Sequence, residues 1–416
     1  MTAEVAAAGH LEPGTATFRR ANWALFAAAF STFASLYGVQ PLLTIFAEQF
    51  GLGADGSSLA LSLTTATLGV AIVLAGSLSD AIGRKRLMFI SLILAALLNL
   101  LVALAPNWPL LLASRAMMGL ALCGIPATAM AYIAEEFSPK ATGFAMGLYI
   151  GGSAIGGMAG RLLIGVVADI FSWRVAVGLV GVVVLVSAVL MRQLLQESRH
   201  FHAKPFRPDE FLPSLARVFV DPGLRWLYAV GFLLMGGFIT VFNYLGFRLS
   251  AEPYALSHAV IASIFLSYMV GSASSTWAGT LADRIGRRKV LWIMILAMGA
   301  GLALTGFASL AVIIAGVVVL TFGYFGAHAV ASGWVGRRAL GARAQATSVY
   351  LFFYYIGSSI VGTLGGWMWN HYAWRGVMVL AGVVIGSALG IAIRLYFLQP
   401  LTLPADRAKV SPVAAA

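Results

Sequence analysis

Twelve runs of mostly apolar residues, each about 20 residues long, follow one another along this chain. The hydrocarbon core of a bilayer is about 30 Å thick, and a helix needs roughly 20 apolar residues to cross it. The runs are too long for membrane-spanning strands, which take about 9–11 residues. The pattern therefore predicts an all-α integral membrane protein with twelve transmembrane helices. The runs, numbered as spans 1–12, lie near residues 22–46, 58–79, 87–106, 109–134, 142–166, 174–194, 226–248, 259–281, 290–308, 310–335, 346–369 and 375–397.

The low charge content excludes the common soluble classes. Only 10% of the 416 residues are charged and 60% are apolar, whereas soluble proteins average about 25% charged residues. So few charges cannot cover a water-soluble surface, which excludes a soluble enzyme, a nucleic-acid-binding protein and a disordered chain. Cys123 is the single cysteine, which excludes an intramolecular disulfide and a cysteine-rich metal site. The sequence has no His/Asp cluster at ligand spacing and no phosphate-binding loop. We therefore expect no metal, no cofactor, no enzymatic activity and no ATP hydrolysis by this chain.

The spans fall into two sets of six. A polar stretch, 196–225, separates an N-terminal six-helix bundle, 22–195, from a C-terminal one, 226–397, and the segments 1–21 and 398–416 are predicted to be tails. Most of the 27 Lys and Arg residues lie on the tails, on the loops that follow even-numbered spans, or at the span ends beside them. The positive-inside rule then makes both tails and the linker cytoplasmic.

An internal repeat relates the two halves. The segment Gly76–Arg86 recurs as Gly279–Lys289, 203 positions later, with six of its eleven residues identical. Each copy follows the second span of its half. A Trp-Arg pair at 173–174 likewise recurs at 374–375, where each pair opens the sixth span of its half. Repeats in the same order fit two parallel six-helix bundles with a substrate path between them.

Both copies of the repeat, which read G-x-L-x-D-x-x-G-R-[KR]-[KR], resemble the loop signature of the major facilitator superfamily. Arg115 followed by Gly119 in span 4 resembles that superfamily's second motif. The glycine-rich span 5 is similar to the motif of its proton-driven exporters, with two departures: Gly157 replaces the expected Pro, and Arg161 replaces the last Gly. The resemblance covers nearly the whole chain.

Finer features resemble the acriflavine-sensitivity branch of bacterial drug exporters: the segment 37–41 in span 1, and residues 243–244 and 247–248 in span 7. The resemblance implies a monomeric, multi-pass protein of the bacterial inner membrane that works by alternating access. It also implies a small-molecule substrate, surrounding membrane lipid and a proton gradient as the energy source. It implies neither a nucleic-acid partner nor a bound cofactor.

The repeated loops are predicted to form a gate. Glycine in each loop permits a turn with positive φ, and the aspartate carboxylate can accept hydrogen bonds from a neighbouring helix N-terminus, where the helix dipole favours negative charge. The resemblance implies that the partner of Asp80 is span 11 near Ala346. The alternative is that basic loops only fix the topology. The residues concerned are Gly76, Asp80, Gly83, Arg84, Gly279, Asp283, Gly286 and Arg287.

Three ionisable residues inside spans are candidates for a proton path. Arg115 is costly in hydrocarbon, and it serves either a proton path, inter-helix hydrogen bonding or only an interface reached by snorkelling. Arg161 either faces a cavity or reaches the outer interface. His328 titrates near physiological pH, so it can carry protons, or it is a buried and neutral histidine. No Asp or Glu falls in the middle of any span, which leaves these residues and the Asp80 network for coupling.

Six residues on spans 1, 7 and 11 are candidates for a substrate cavity, with helix contacts or the membrane interface as the alternative. Aromatic rings offer apolar surface and cation–π contact, while amides orient a ligand. The candidates are Tyr37, Gln40, Asn243, Tyr244, Tyr354 and Tyr355.

Small residues in span 5 allow close helix packing, which in a rocking transporter also forms a hinge. The residues are Gly152, Gly156, Gly157 and Gly160. Together these features predict a proton-driven exporter of lipophilic compounds, cationic or neutral. The alternative in the same fold is a carrier of a small polar metabolite. A channel is disfavoured because rings of charge and filter-like glycine loops are lacking.

Overall fold

The computed structural model describes residues 9–201, 208–339 and 342–397. Their regular secondary structure is helical, and one isolated β-bridge joins Leu11 and Phe137. Gln40–Leu42 and Ile264–Leu266 are short 3-10 helices. The α-helices are Ala16–Tyr37, Leu43–Phe50, Ala54–Ile82, Arg84–Leu104, Trp108–Leu122, Pro126–Glu136, Pro139–Ile170, Trp173–Leu194, Pro208–Arg217, Pro222–Ser250, His258–Ser263, Ser267–Ile285, Arg287–Leu304, Leu310–Arg338 and Arg343–Phe397.

These helices form the twelve spans that the sequence predicts. Within the described ranges, 10 stretches are long and apolar enough to cross a membrane. One of them, Arg343–Phe397, holds spans 11 and 12, because Ala373 (φ 48°, ψ −144°) interrupts its helical backbone. Span 9, Arg287–Leu304, begins with three basic residues and completes the set. The prediction of an all-α membrane fold is therefore confirmed.

Spans 1, 4 and 8 are interrupted helices. Span 1 breaks after its long helix, since Pro41 has no N–H with which to continue the hydrogen-bond ladder. Span 4 breaks just ahead of Pro126, which opens its second helix. Span 8 contains the 3-10 turn Ile264–Leu266. A break inside a membrane frees backbone groups, and each of these needs another partner.

Single glycines turn the chain between spans 2 and 3 and between spans 8 and 9. Gly83 has φ 100° and Gly286 has φ 96°, as the repeated motif predicts. In both halves the glycine is the only residue between two helices. A side chain would be strained in this conformation, which explains why the motif uses glycine at this place.

The chain before span 1 is held against span 4. The helix begins at Ala16, inside the segment 1–21 that the sequence predicts as a tail. Ahead of it, the Leu11 N–H donates to the Glu136 carbonyl (2.8 Å), and the Ser138 N–H donates to the Leu11 carbonyl (3.3 Å). The described end of this segment is therefore attached to the N-terminal bundle.

The predicted linker 196–225 includes one helix, Pro208–Arg217, followed by the start of span 7 at Pro222. Residues 202–207 of the linker lie outside the described residues. The predicted tail 398–416 and residues 1–8 also lie outside them.

Glycines bring helices together in the same way in both halves. On span 5, a Cβ at Gly156 would clash with the Phe30 backbone of span 1. On span 11, a Cβ at Gly357 would clash with the Phe232 backbone of span 7. Each half thus packs its fifth span directly on its first, which is the close approach that small residues permit in membranes.

The outer surface suits a bilayer. Large apolar side chains such as Leu97, Val379 and Val383 point outward and are exposed. A soluble protein rarely exposes contiguous apolar surface of this kind, but in a membrane it contacts lipid. We call the face where span 1 begins and span 12 ends the terminal face, and the opposite face the distal face.

Candidate functional site

A cavity of about 240 Å³ lies between the two halves. Spans 1 and 5 supply one wall, and spans 7, 8, 10 and 11 supply the other. No Asp or Glu is found among its described lining residues, and Arg161 is the one side chain there with a fixed charge. The lining residues are Phe33, Tyr37, Ile150, Ser153, Ala154, Gly157, Arg161, Met235, Phe238, Tyr268, Ser275, Tyr324, Phe325, His328 and Tyr354.

The wall from the C-terminal half is aromatic. Tyr324 and His328 lie one turn apart on span 10, and Tyr350 and Tyr354 lie one turn apart on span 11, so each pair shares a helix face. The hydroxyls of Tyr324 and Tyr354 are 2.7 Å apart, and His328 Nδ1 is 2.9 Å from the Tyr350 hydroxyl. Phe238 stacks on Tyr324 with ring centroids 3.8 Å apart. Because these polar atoms bond to one another, the wall offers mainly ring surface.

The wall from the N-terminal half holds the charge. Arg161 Nε donates to Gln40 Oε1 (2.7 Å), and Arg161 Nη1 donates to the Gly157 carbonyl (2.6 Å). Gln40 Nε2 in turn donates to Asn243 Oδ1 (2.7 Å). The chain of hydrogen bonds therefore runs from span 5 through span 1 to span 7 and crosses between the halves.

Three aromatic rings surround the same guanidinium. Its carbon lies 4.6 Å from the ring centroids of Tyr37 and Phe265 and 5.0 Å from that of Tyr268. Arg161 is 1% exposed, and it forms no ion pair with any described residue. A buried charge is costly when nothing balances it. Ring contacts and neutral acceptors offset only part of that cost.

The structure distributes the six predicted cavity residues over three places. Tyr37 and Tyr354 line the cavity. Gln40 and Asn243 lie one layer behind it, where they bond to each other and hold Arg161 in position. This repeat-related amide pair meets at the boundary between the halves, where it joins helices in this structure.

Tyr244 and Tyr355 lie between helices and away from the cavity lining. This position agrees with the alternative interpretation, in which these side chains form helix contacts. The Tyr244 hydroxyl donates to the Gly362 carbonyl (2.5 Å) and ties span 7 to span 11. Tyr355 is buried and packs on Gly69 of span 2, with its Cβ 3.0 Å from where a Cβ at Gly69 would lie. Both are therefore packing residues in this structure.

Several lining residues were missed by the sequence reasoning. Phe238, Tyr268 and Phe325 line the C-terminal wall. Single aromatic residues in apolar spans look like ordinary packing residues, so residue type alone does not distinguish them. The pairing of Tyr324 with His328 at one-turn spacing was the usable signal, because it places two polar rings on one helix face.

The structure places Arg115 in an inter-helix role, outside the cavity lining. Its Nε, Nη1 and Nη2 donate to the carbonyls of Ala60 (2.8 Å), Ser35 (2.8 Å) and Leu36 (2.7 Å). Ser35 and Leu36 lie where span 1 breaks ahead of Pro41, so their carbonyls lack the usual helical donors. Arg115 supplies those donors, which favours the hydrogen-bonding alternative over a proton path.

The glycines of span 5 divide into two faces. Gly152, Gly156 and Gly160 face span 1, where an added Cβ would crowd the backbone or side chains of Phe26, Phe30 and Ala34. Gly157 faces the cavity and gives its carbonyl to Arg161. The first three therefore serve packing, and the fourth lets the guanidinium lie close to the helix.

The distal face is closed by contacts between the halves. Asp169, at the end of span 5, accepts hydrogen bonds from the N–H groups of His258 (3.2 Å) and Ala259 (2.7 Å) at the start of span 8. Asn370, at the end of span 11, accepts one from the Ala54 N–H (3.0 Å) at the start of span 2. In both cases one half caps the N-terminus of a helix in the other half.

Further bonds extend this closure toward the middle of the membrane. Ser359 Oγ donates to the Ser62 carbonyl (2.7 Å), and Thr363 Oγ1 donates to Ser62 Oγ (2.9 Å). Span 2 also packs on span 11 at Gly69. Two turns later, at Gly76, the same helix has open space beside it. Spans 2 and 11 therefore touch at their distal ends and separate toward the terminal face.

At the terminal face, no hydrogen bond between the two halves is found among the described residues. Asp80 pairs with Arg84 (2.7 Å), and Arg84 also binds Glu135 of span 4 (2.7 Å). All three residues belong to the N-terminal half. The expected contact of Asp80 with span 11 near Ala346 is therefore not formed in this structure.

The second copy of the motif is likewise confined to its own half. Asp283 pairs with Arg287 (2.5 Å) and with Arg337 of span 10 (3.3 Å). Nearby, Arg338 binds Asp221 at the start of span 7 through two bonds (2.5 and 2.8 Å). Each motif thus braces one bundle internally.

Two six-helix bundles that enclose a cavity between them and, among the described residues, are joined by hydrogen bonds at the distal face are typical of a membrane transport protein of the alternating-access type. The sequence pattern of the Major Facilitator Superfamily matches residues 25–273 and 249–415. The chain therefore belongs to the major facilitator superfamily, whose members are multi-pass transporters and not enzymes.

Known proteins similar to this chain agree with that assignment. "Inner membrane transport protein YnfM" of Escherichia coli (strain K12) is 45% identical over 386 residues, 93% of this chain and 93% of that protein. "Uncharacterized MFS-type transporter YybF" of Bacillus subtilis (strain 168) is 42% identical over 383 residues, 92% of this chain and 95% of that protein. The fold is similar to a bacterial homologue of the human lysosomal transporter Spinster, solved in an inward-facing and occupied conformation. The TM-score is 0.74 at 15% identity, over 92% of this chain and 97% of that one.

Proposed function

We propose that this protein is a proton-driven exporter of small, largely apolar aromatic compounds, with the terminal face in the cytoplasm of a bacterium. The observation that carries the proposal is the aromatic cavity between the halves, which distal contacts separate from the opposite side of the membrane. With the terminal face in the cytoplasm, the conformation described here is the one in which substrate enters the cavity from the cytoplasm or the inner leaflet.

Ring surface in the cavity favours lipophilic substrates. Rings provide broad apolar contact without imposing one shape, and the nearby hydroxyls of Tyr324, Tyr350 and Tyr354 are engaged with neighbouring groups. A site for a sugar needs many unpaired polar groups aimed at the ligand. The motif resemblance to the acriflavine-sensitivity branch of drug exporters supports the same substrate class.

Arg161 narrows the substrate class that the sequence suggests. A lipophilic cation would share a small, enclosed cavity with a buried positive charge and no carboxylate, and like charges in a low dielectric repel strongly. We therefore propose neutral or anionic substrates in place of cationic ones.

His328 is the residue that we propose to carry the coupled proton. It is the one imidazole in the described cavity lining, and it bonds to the Tyr350 hydroxyl at 2.9 Å. Its charge changes within the physiological range when its surroundings allow it. We propose that a proton reaches His328 when the distal face is open and that its arrival favours release of the substrate.

A carrier of a small polar metabolite is the second candidate. The observation that favours it is again Arg161, because a buried guanidinium can select an anionic metabolite. The two candidates differ in what the rest of the ligand must be: apolar for the exporter and polar for the metabolite carrier.

Inside-out membrane vesicles test the proposal. We expect vesicles with this protein to accumulate radiolabelled chloramphenicol, a neutral single-ring compound, when their interior is acidic. A protonophore and vesicles without the protein should both abolish the accumulation. Accumulation unaffected by the protonophore would exclude proton coupling, and saturable movement of sugars or amino acids alone would favour the metabolite carrier.

A further inference from the structure

We infer that the cavity is a binding site for a small organic carboxylate of about one ring, with its carboxylate on Arg161 and its apolar part against the aromatic wall. This inference adds detail to the proposed function. It rests on that function in one respect only: it takes this cavity as the transport site.

The charge in the cavity is the first argument. Arg161 is buried in a wall that contains no acidic residue, and its only protein acceptors among the described residues are the neutral oxygens of Gln40 and Gly157. Buried charges in proteins are normally paired. A charge that faces a cavity and lacks a partner in the protein is therefore matched by a ligand of opposite charge.

The free donors are the second argument. A guanidinium has five N–H groups in a planar fork. Arg161 uses one on Nε and one on Nη1, and no described residue accepts a hydrogen bond from Nη2. Free N–H groups on the two terminal nitrogens match the two oxygens of a carboxylate, which arginine binds in bidentate fashion.

A comparison with Arg115 excludes a purely structural role for Arg161. Both side chains are buried, and both lie inside spans of the same bundle. Arg115 places each of its three nitrogens on a backbone carbonyl and lines no part of the cavity. Arg161 leaves Nη2 without a protein acceptor and lies in the cavity wall. Of these two arginines, only Arg161 combines a place in the cavity wall with a terminal nitrogen that no described residue accepts from.

The size of the cavity sets the size of the ligand. Its volume is about 240 Å³, which lies between the roughly 150 Å³ of a cavity that holds benzene and the roughly 300–1,000 Å³ of pockets for drug-sized ligands. The apolar side chains of Phe33, Met235 and Phe238 line the rest of it. One ring with a short acidic group fits both the volume and the polarity.

The test is a binding series with three probes of the same shape: benzoate, benzyl alcohol and benzylamine. The full chain is purified in lipid nanodiscs, and binding is measured by isothermal titration calorimetry. We expect benzoate to bind at least about tenfold more tightly than benzyl alcohol, and benzylamine to bind most weakly. Equal affinities for the three probes, or no saturable binding of benzoate, would overturn the inference.

Substitutions of Arg161 distinguish the loss of its charge from a failure of the protein to fold. We expect Arg161→Gln to lose the preference for benzoate while still binding benzyl alcohol, and Arg161→Lys to keep part of it, because a lysine retains the charge without the bidentate fork. Lys140→Gln, which removes a positive charge from an exposed position, is the matched control and should change nothing. If Arg161→Gln does not fold, Arg161→Lys and the probe series on the unmodified chain decide the question. An unchanged benzoate preference in Arg161→Lys would refute bidentate binding.

The outcomes distinguish this inference from the proposed function. Benzoate selectivity without proton-dependent transport in vesicles would support the binding site and contradict the exporter. Proton-dependent transport of chloramphenicol without any preference for benzoate would support the exporter and overturn the carboxylate site.

Discussion

The distal and terminal faces both place acidic or amide side chains at helix ends, but the partners of these side chains come from different places. At the distal face the cap crosses between the halves, from Asp169 to span 8 and from Asn370 to span 2. At the terminal face Asp80 pairs with Arg84 of its own half. A cap from the other half joins the bundles, while a partner from the same half leaves them free to separate. The location of the partner therefore decides which face is closed.

The two distal caps lie at corresponding places in the repeat, yet their chemistry differs. Asp169 presents a carboxylate to two backbone N–H groups, and its Oδ1 also lies 3.0 Å from His258 Nδ1. Asn370 presents a neutral amide oxygen to one N–H and donates its own N–H to Asp55 (2.7 Å). The charged cap is the stronger of the two, because charge-assisted hydrogen bonds exceed neutral ones.

The largest effect on transport is expected when a covalent bond locks the distal contact. Ser62 Oγ and Thr363 Oγ1 are 2.9 Å apart across the halves, so a Ser62→Cys/Thr363→Cys pair in a Cys123→Ser background should form a disulfide on oxidation. Because the distal face could then no longer open, transport should fall to background and return after reduction. Vesicle transport with and without a reductant measures this.

Each single cysteine variant is the control for that pair and should transport normally under oxidation. Full transport by the oxidised pair, with the cross-link verified by mass spectrometry, would mean that the halves need not separate at this contact.

The next largest effect on transport is expected at the terminal face. Alternating access requires a state in which the terminal face is closed, and we propose that Asp80 then caps span 11. Asp80→Asn loses charge-assisted bonds worth about 1.5–3 kcal/mol in that state, and in the present state it loses only a partly exposed ion pair with Arg84, worth about 0–1 kcal/mol. The difference shifts the equilibrium severalfold or more toward the present state. We expect transport to slow by a similar factor, while spectroscopic distances between labels at the distal face stay at their closed values. Normal transport by well-expressed Asp80→Asn would leave the motif with a role in topology alone.

Much of this arrangement was predictable from the sequence, and the reason is periodicity. Apolar runs of membrane length specify the twelve spans, and the duplicated loop specifies two halves with a glycine turn in each. Gln40 and Asn243 were marked by their equal positions in the repeat, and the structure places them in contact. A repeat therefore predicts which residues meet near the axis that relates the halves.

The rest depended on helix rotation and on conformational state, which residue types do not reveal. Tyr244 and Tyr354 look equally suited to a cavity, but only Tyr354 is turned toward it. Arg115 and Arg161 look equally costly, yet one fills the break in span 1 and the other faces the cavity. The expected Asp80 contact with span 11 is not formed in this structure, and the motif does not reveal in which conformational state such a contact would form.

A smaller effect is expected at the charged distal cap. Asp169→Asn keeps the shape of the side chain but removes its charge from the N-terminus of span 8, an interaction worth about 0.3–1 kcal/mol near a surface. The distal-open population should rise by about fivefold at most, as measured by pulsed EPR distances between labels on spans 5 and 8. Asn370→Ala is the comparison: its bond from the Ala54 N–H is neutral and only its bond to Asp55 involves a charge, so its contribution should weaken less at high salt than that of Asp169. Equal salt dependence at the two caps would contradict the assigned difference in chemistry.

The smallest effect on transport is expected at an exposed ion pair of the terminal face. The Arg337 and Asp283 side chains are 63% and 56% exposed, and ion pairs of this kind contribute about 0–1 kcal/mol. Asp283 also keeps its bond to Arg287 when Arg337 is removed. Arg337→Gln should therefore change transport by less than about twofold, because solvent and the remaining arginine screen the loss. Arg84→Gln is the contrasting substitution in the other half, where the side chain is 9% exposed and bridges Asp80 and Glu135. Its effect on transport and on thermal stability should be several times larger, since two carboxylates lose their shared partner. Equal effects of the two substitutions would mean that burial does not set the strength of the terminal-face contacts.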